Sequence, residues 1–172
     1  MATFISHSPA ETEALGEIWG RAAQTGLVIG LSGELGAGKT QLVKGLARGL
    51  GIPARVHSPT FTLVNIYEGG RLTLFHLDLY RLDTLEQIAA AGLDGYLQPQ
   101  GVTVIEWAER WFGPRPGDQR PESKIESPKP EVTGFPSPSA KYESPAACRC
   151  FRVYLEGLSE TERRISYENP GD

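Results

Sequence analysis

Cysteines and long apolar runs are scarce in this 172-residue chain. The two cysteines, Cys148 and Cys150, are one residue apart, and cysteines this close rarely bridge each other, so no disulfide framework is indicated. No apolar run approaches the roughly 20 residues that cross a bilayer. Residues 1–9 lack the basic start and apolar stretch of a signal peptide. We therefore expect a cytoplasmic protein without a membrane segment.

An excess of basic charge is also missing. The chain has 17 Lys and Arg residues against 21 Asp and Glu residues, which gives a net charge of −4 and a pI near 5.5. A protein that binds nucleic acid by itself needs a basic face for the phosphates. The charge balance therefore disfavours direct nucleic-acid binding, and the length fits one domain.

Helix and strand patterns alternate along the chain, which indicates the α/β class. The apolar run at residues 27–31 is continuous rather than alternating, as in strands that are covered on both faces. Ser8 and Thr12 are candidate caps for the first helix. Two strands flanking the turn at residues 68–70 are expected to pair antiparallel. Helices are predicted at residues 10–24, 39–50 and 84–91, and strands at residues 27–31, 61–67, 72–77, 102–105, 151–155 and 163–167.

The composition changes sharply at residue 113. Residues 113–147 hold eight of the 13 prolines and repeated Ser-Pro steps. Proline removes backbone donors, and this stretch has few large side chains to bury, so it is predicted to be a loop or disordered. We expect a core at residues 1–112, this Pro/Ser-rich insertion at 113–147, and strands at 148–172 that complete the same domain.

The clearest motif is G-x-x-x-x-G-K-[ST] at residues 33–40, a phosphate-binding loop. Its glycines let backbone N–H groups surround phosphates, Lys39 adds positive charge, and the Thr40 hydroxyl can bind Mg²⁺. An apolar strand pattern precedes the motif and an amphipathic helix pattern follows it, as the motif requires. The sequence therefore predicts a nucleotide site here.

The guanine-reading element Asn-Lys-x-Asp is missing from the sequence, which favours ATP over GTP. A small-molecule kinase would need a second, arginine-rich phosphate site, whereas Arg71, Arg81 and Arg110 are scattered. Three hypotheses remain open from the residues: an ATPase that drives a larger complex, an ATP-dependent binding switch in which hydrolysis is incidental, and a small-molecule kinase.

Two acidic residues follow predicted strands. Asp78 ends the strand pattern at 72–77, and Glu106 ends the one at 102–105. Because ligands of open α/β sheets bind at the carboxyl ends of the strands, both carboxylates are expected to face the nucleotide. One would fix Mg²⁺ and the other would orient or deprotonate the attacking water, and the spacing leaves the assignment open. His76 is expected to tune Asp78, to contact phosphate, or to be structural.

Four segments in this order resemble the TsaE (YjeE) family of bacterial ATPases, which acts in tRNA threonylcarbamoyladenosine synthesis. They are the phosphate loop at 33–40, Ser-Pro-Thr-Phe-Thr-Leu-Val at 58–64, His-Leu-Asp-Leu-Tyr-Arg at 76–81 and Glu-Trp at 106–107. The resemblance covers residues 12–111, with a weaker similarity at 151–167. The Pro/Ser-rich insertion departs from the family pattern.

The resemblance implies a three-layer P-loop NTPase fold with a mixed, mostly parallel central sheet flanked by helices. It implies slow hydrolysis of ATP with Mg²⁺, mainly in complex with the TsaB and TsaD proteins, so that tRNA is met only through the complex. It further implies roles for particular residues: Asp78, Lys39 and Glu106 in catalysis, and Thr40 and Glu106 at the metal. Thr12 would lie beside the base and residues 58–61 would form a switch-like loop. Gln41 stands where a second Thr or Ser is common. The nucleotide-binding residues would be Thr12, Gly33, Glu34, Leu35, Gly36, Ala37, Gly38, Lys39, Thr40, Gln41, Ser58 and Thr60.

Overall fold

The computed structural model of the chain describes residues 2–114 and 150–168. Cys148 and nearly all of the Pro/Ser-rich insertion lie outside these ranges, so the loop assigned to residues 113–147 stays a prediction. The domain division proposed from the sequence likewise stays a prediction.

One sheet of seven strands organises the described residues. The strands run in the spatial order β1-β7-β6-β2-β5-β4-β3. The four central strands, β6, β2, β5 and β4, are parallel, whereas the pairings β1–β7, β7–β6 and β4–β3 are antiparallel. In chain order the strands are β1 (Ala2–Ser6), β2 (Leu27–Ser32), β3 (Val64–Tyr67), β4 (Leu74–Asp78), β5 (Val102–Glu106), β6 (Cys150–Gly157) and β7 (Arg163–Tyr167).

Helices cover both faces of this sheet. Helices α1 (Pro9–Ala22) and α2 (Lys39–Gly49) pack on one face, and α3 (Leu85–Ala90), a 3₁₀ helix (Leu93–Leu97) and α4 (Glu109–Phe112) pack on the other. Successive residues of β2 pack into two hydrophobic clusters on opposite faces of the sheet. Val28 packs under α3 and α4, and Ile29 packs under α1 and α2. The continuous apolar run follows from this two-sided burial. The three-layer α/β fold with a mixed, mostly parallel sheet is therefore confirmed.

Helices α1 and α2 approach each other unusually closely. Gly16 and Gly20 of α1 face Gly45 and Gly49 of α2, each pair one helical turn apart. A Cβ atom at Gly45 would lie 1.9 Å from the carbonyl oxygen of Glu13. Only glycine, which has no Cβ atom, fits this contact. The four glycines therefore fix the position of α2 and of the loop before it on the sheet.

Two strand assignments from the sequence need correction. Strand β1 was not predicted, because it is a short edge strand with no clear strand pattern of its own. Its strand conformation depends on pairing with β7. Strand β3 begins at Val64 rather than at residue 61. The backbone N–H groups of Thr62 and Leu63 donate to the Pro59 carbonyl, and Leu63 has a φ of 65°, so residues 59–63 form a turn.

The helix boundaries agree with the predictions to within two residues. Of the two candidate caps for α1, Ser8 is the N-cap and its hydroxyl accepts from the Glu11 N–H, whereas Thr12 lies inside the helix and is buried. The 3₁₀ helix and α4 were not predicted, because five and four residues are too short to show a periodicity. In the part of the chain that the structure describes, no helix has the length and apolarity to span a membrane.

Candidate functional site

The phosphate loop connects β2 to α2 at the carboxyl end of the parallel strands. Gly33, its first residue, has a φ of 143°, and a Cβ atom there would lie 2.2 Å from the Leu155 carbonyl oxygen. Gly38 is the N-cap of α2 with a φ of 100°, and no side chain among the described residues caps this helix. The N–H groups of the first turn of α2 therefore remain to bind an anion.

Lys39 lies against this loop. Its Nζ donates to the carbonyl oxygens of Gly33 at 2.7 Å and of Glu34 at 2.8 Å, and it sits 3.9 Å from the centre of the Trp107 ring. Burial lowers the pKa of the Lys39 ammonium below its ordinary value, and nearby carboxylates, Glu106 foremost, oppose that shift. Two backbone carbonyls and the face of the Trp107 ring thus hold the Lys39 ammonium against the loop.

The two predicted carboxylates are direct neighbours. Strands β4 and β5 are parallel, and Asp78 pairs with Glu106 in their register. Both side chains are buried, with 2% and 3% of their surface exposed. Parallel pairing puts the two residues at the same edge of the sheet, next to the phosphate loop.

Glu106 contacts the phosphate loop and the core at once. Its Oε1 accepts a hydrogen bond of 2.8 Å from the Thr40 hydroxyl. The same Oε1 lies 2.9 Å from His76 Nε2. A hydroxyl and a carboxylate side by side are the oxygen ligands that Mg²⁺ prefers, so Thr40 and Glu106 fit a magnesium ion.

Asp78 has different partners. Its Oδ2 accepts from the hydroxyls of Ser58 at 2.7 Å and Thr60 at 2.8 Å, and its Oδ1 accepts from the Tyr80 N–H at 2.8 Å. Ser58 and Thr60 belong to the segment that precedes β3, so this carboxylate ties that segment to the end of β4. His76 forms its hydrogen bond with Glu106 and not with Asp78. The contacts therefore do not support the alternative in which His76 tunes Asp78.

These groups surround one cleft of about 440 Å³. Most of the predicted nucleotide-binding residues face it, together with both carboxylates and two aromatic residues. The lining residues are Leu35, Gly36, Gly38, Lys39, Thr40, Gln41, Ser58, Thr60, Asp78, Tyr80, Glu106 and Trp107.

Two predicted binding residues have their side chains engaged elsewhere. Thr12 is fully buried and shares a hydrogen bond of 2.8 Å with the Ser6 hydroxyl, and its methyl group lies 3.9 Å from where a Cβ atom of Gly38 would be. Gln41 donates to Glu13 at 3.2 Å, which links α2 to α1. Thr12 therefore lies behind the phosphate loop, with its hydroxyl turned to β1.

Gly33, Glu34 and Ala37 lie in the loop but do not line the cleft. Ala37 is buried, and the backbone carbonyls of Gly33 and Glu34 hold the lysine. These three residues therefore shape the loop rather than the cleft surface.

Two aromatic residues of the cleft were not predicted as site residues. Trp107 packs partly against the core, and with a φ of 61° its ring covers Lys39. Tyr80 lies two residues after Asp78, and its ring centre is 5.1 Å from that of Trp107. Their signal in the sequence was their place in the family-like segments 76–81 and 106–107, close after the two carboxylates.

Comparisons with known proteins identify the family of this chain. Residues 6–131 match the family model for the threonylcarbamoyl adenosine biosynthesis protein TsaE. The chain is 49% identical over 106 residues to a tRNA threonylcarbamoyladenosine biosynthesis protein TsaE of Treponema pallidum, an alignment covering 62% of this chain and 78% of the relative. It is 46% identical over 101 residues to the protein of that name in Bacillus subtilis, covering 59% of this chain and 63% of the relative.

A solved structure is also similar. The crystal structure of Bacillus subtilis YdiB superposes with a TM-score of 0.63 at 30% identity, covering 96% of this chain and 83% of that one. The family match spans most of the chain and includes the phosphate loop and both carboxylates. The chain therefore belongs to the TsaE family of threonylcarbamoyladenosine biosynthesis proteins.

Proposed function

We propose that this protein is a Mg²⁺-dependent ATPase that supports threonylcarbamoyladenosine modification of tRNA in complex with TsaB and TsaD. The observation that carries the proposal is the contact of 2.8 Å between the Thr40 hydroxyl and the Glu106 carboxylate, with Asp78 beside them in the register. This arrangement joins a phosphate loop to two acids that lie on different strands. These groups support the binding of a triphosphate, its metal and a water molecule in one cleft.

The phosphate loop binds and orients the triphosphate. The start of α2 lines the cleft and has no side-chain cap, and the positive end of the helix favours an anion there. Lys39 is already held at the loop by two carbonyls, so placing its charge against a phosphate costs little further ordering. Trp107 and Tyr80 line the same cleft.

Thr40 and Glu106 would hold the magnesium ion, which neutralises charge on the β- and γ-phosphates when it is bound. Asp78 would act on the attacking water. Its carboxylate accepts the proton while the water oxygen bonds to the γ-phosphorus and the bond to the β-γ bridging oxygen breaks. For this, Asp78 must exchange at least one of its hydrogen bonds with Ser58 and Thr60 for the water.

Two of the three scattered arginines weaken the kinase alternative. Arg71 donates to the carbonyls of Gly20 and Ala23 at the end of α1, and Arg110 bonds to the Leu82 carbonyl and to Asp83. Both guanidinium groups therefore already serve the fold and do not form a second phosphate site.

Dependence on partners is supported by the surface around the cleft. Phe61 and Leu35 are 85% and 78% exposed, and Tyr80 is also exposed. Leu35 and Tyr80 line the cleft, and Phe61 follows the cleft residue Thr60. Apolar side chains grouped at the mouth of a catalytic cleft fit a protein that completes its active site by docking.

The test is ATP hydrolysis by the purified full chain, alone and with TsaB and TsaD, with modified tRNA as a second readout. We expect hydrolysis to rise with the partners and modification to require all components. The variant Thr40→Val should lose both activities, whereas Thr73→Val, at the opposite end of the sheet, should retain them. Nucleotide binding without turnover in the full complex would favour a switch, and phosphorylation of a metabolite would favour a kinase.

A further inference from the structure

His76 is the most deeply buried ionisable group next to the candidate metal site. It lies on β4 with none of its surface exposed, and its Nε2 is 2.9 Å from Glu106 Oε1. Its other ring nitrogen, Nδ1, is buried and has no hydrogen-bond partner among the described residues. The ring therefore makes its one hydrogen bond to a residue of the site and none to the core.

The direction of that hydrogen bond follows from the partner. A carboxylate oxygen only accepts, so Nε2 carries the hydrogen and donates to Oε1. The Thr40 hydroxyl donates to the same oxygen at 2.8 Å. Two donors on Oε1 hold the carboxylate in one orientation, and neither of these bonds uses Oε2.

Strand register explains why His76 reaches Glu106. His76 pairs with Val104 on β5, two residues before Glu106, so the histidine and the glutamate are diagonal neighbours on one face of the sheet. Asp78 is the direct neighbour of Glu106, but its own hydrogen bonds go to Ser58, Thr60 and the Tyr80 N–H. His76 thus forms a hydrogen bond with Glu106, while Asp78 is hydrogen-bonded to the segment before β3.

We propose that His76 is a positioning residue: its Nε2–H fixes the Glu106 carboxylate so that this carboxylate and the Thr40 hydroxyl present one preformed set of oxygens to Mg²⁺. The inference rests on the proposed function, because it takes Glu106 to be a metal ligand. Groups that orient a metal ligand from behind typically contribute about 10- to 100-fold to metal affinity or activity.

The test compares His76→Leu, which removes the donor, with His76→Gln, which keeps an N–H donor at about the same distance. Binding of a non-hydrolysable ATP analogue to the full chain is measured by calorimetry in Mg²⁺ and in EDTA. We expect His76→Leu to lower the ratio of the two affinities by about 10- to 100-fold, with the affinity in EDTA unchanged. His76→Gln should recover most of the ratio, which a purely structural role would not produce.

Several results would overturn the inference. An unchanged ratio in His76→Leu, or an equal loss of affinity in Mg²⁺ and EDTA, would show that His76 does not act on the metal site. If the wild-type chain binds equally well with and without Mg²⁺, the metal assignment of the proposed function fails as well, which separates the two failures.

A measurement on the wild-type chain covers the case in which His76→Leu does not fold. Long-range ¹H–¹⁵N NMR reads which ring nitrogen carries hydrogen, and only three histidines have to be assigned. We expect Nε2 of His76 to be protonated. A ring with hydrogen on Nδ1 alone would contradict the proposal, because Nε2 could not then donate to Glu106.

Discussion

The two walls of the cleft are built differently. The helical wall consists of residues 36–41, carried by α2 and backed by α1, and close glycine contacts and buried apolar side chains hold it in place. The loop wall consists of residues 58–63. It carries Phe61, which is 85% exposed, and its cleft-facing hydroxyls are held by hydrogen bonds to Asp78.

This difference indicates that one wall is rigid and the other can change its conformation. Packed backbones do not deform continuously, so the helical wall presents its N–H groups and Thr40 in one arrangement. Two hydroxyl bonds can be exchanged at modest cost, so we expect the loop wall to be the side that can rearrange. Glu106 is connected to the helical wall by its hydrogen bond with Thr40. Asp78 is connected to the loop wall by its hydrogen bond with Thr60.

The largest effect is expected from the carboxylates at the meeting point of the walls. Asp78→Asn and Glu106→Ala should each lower partner-stimulated ATP hydrolysis by about 100-fold or more, because each removes a charged group from the reaction. Calorimetry should still detect nucleotide binding in both variants, since the phosphate loop is intact. Normal hydrolysis by both variants in the complex would refute the catalytic assignment.

The helical wall should be sensitive to a single methyl group. In Gly45→Ala the new Cβ would lie 1.9 Å from a carbonyl oxygen of α1, so backbones must separate. Overpacking of this kind costs about 1–3 kcal/mol of the free energy of unfolding, and the upper end is expected against backbone. Chemical denaturation measures it. Gly95→Ala is the control, since no described atom lies within 4 Å of that Cβ, and equal losses in both variants would argue against close helix packing.

The loop wall should respond more weakly. Thr60→Val removes one of the two hydroxyl donors to Asp78 Oδ2 and should lower the free energy of unfolding by about 1 kcal/mol. Thr62→Val is the matched control, because its hydroxyl donates to the Asn65 side chain and not to the carboxylate. A loss for Thr60→Val as large as that for Gly45→Ala would contradict the contrast between the walls.

The smallest effect is expected from the Pro/Ser-rich insertion. Replacing residues 115–147 with a short Gly-Ser linker should change the free energy of unfolding by less than about 1 kcal/mol, because loop-closure entropy varies slowly with loop length. Arg152 of β6 donates to the carbonyls of Phe112 and Gly113, so the chain before the replaced segment is anchored independently. Nucleotide affinity should also persist, and loss of the folded structure in the replaced chain would show that the segment belongs to the core.

Local patterns predicted most of the fold. The phosphate loop, the two central apolar strands β2 and β5, and helix α2 were identified because each carries its signal within a dozen residues. Strand β1 was missed because its partner β7 lies more than 150 residues later in the chain. The four glycines between α1 and α2 gave no local signal either, since their purpose appears only when the two helices meet.

The sequence by itself determined which groups the candidate site has: a phosphate-loop motif, a lysine and a hydroxyl at its end, and an acid at each of two strand ends. Only the tertiary structure decided how they are paired. Thr40 and Glu106 are 66 positions apart, and their contact depends on the register of β2, β5 and β4. The same register sends His76 to Glu106 and leaves Asp78 to the loop, because diagonal contacts across strands are fixed by pairing and not by local sequence.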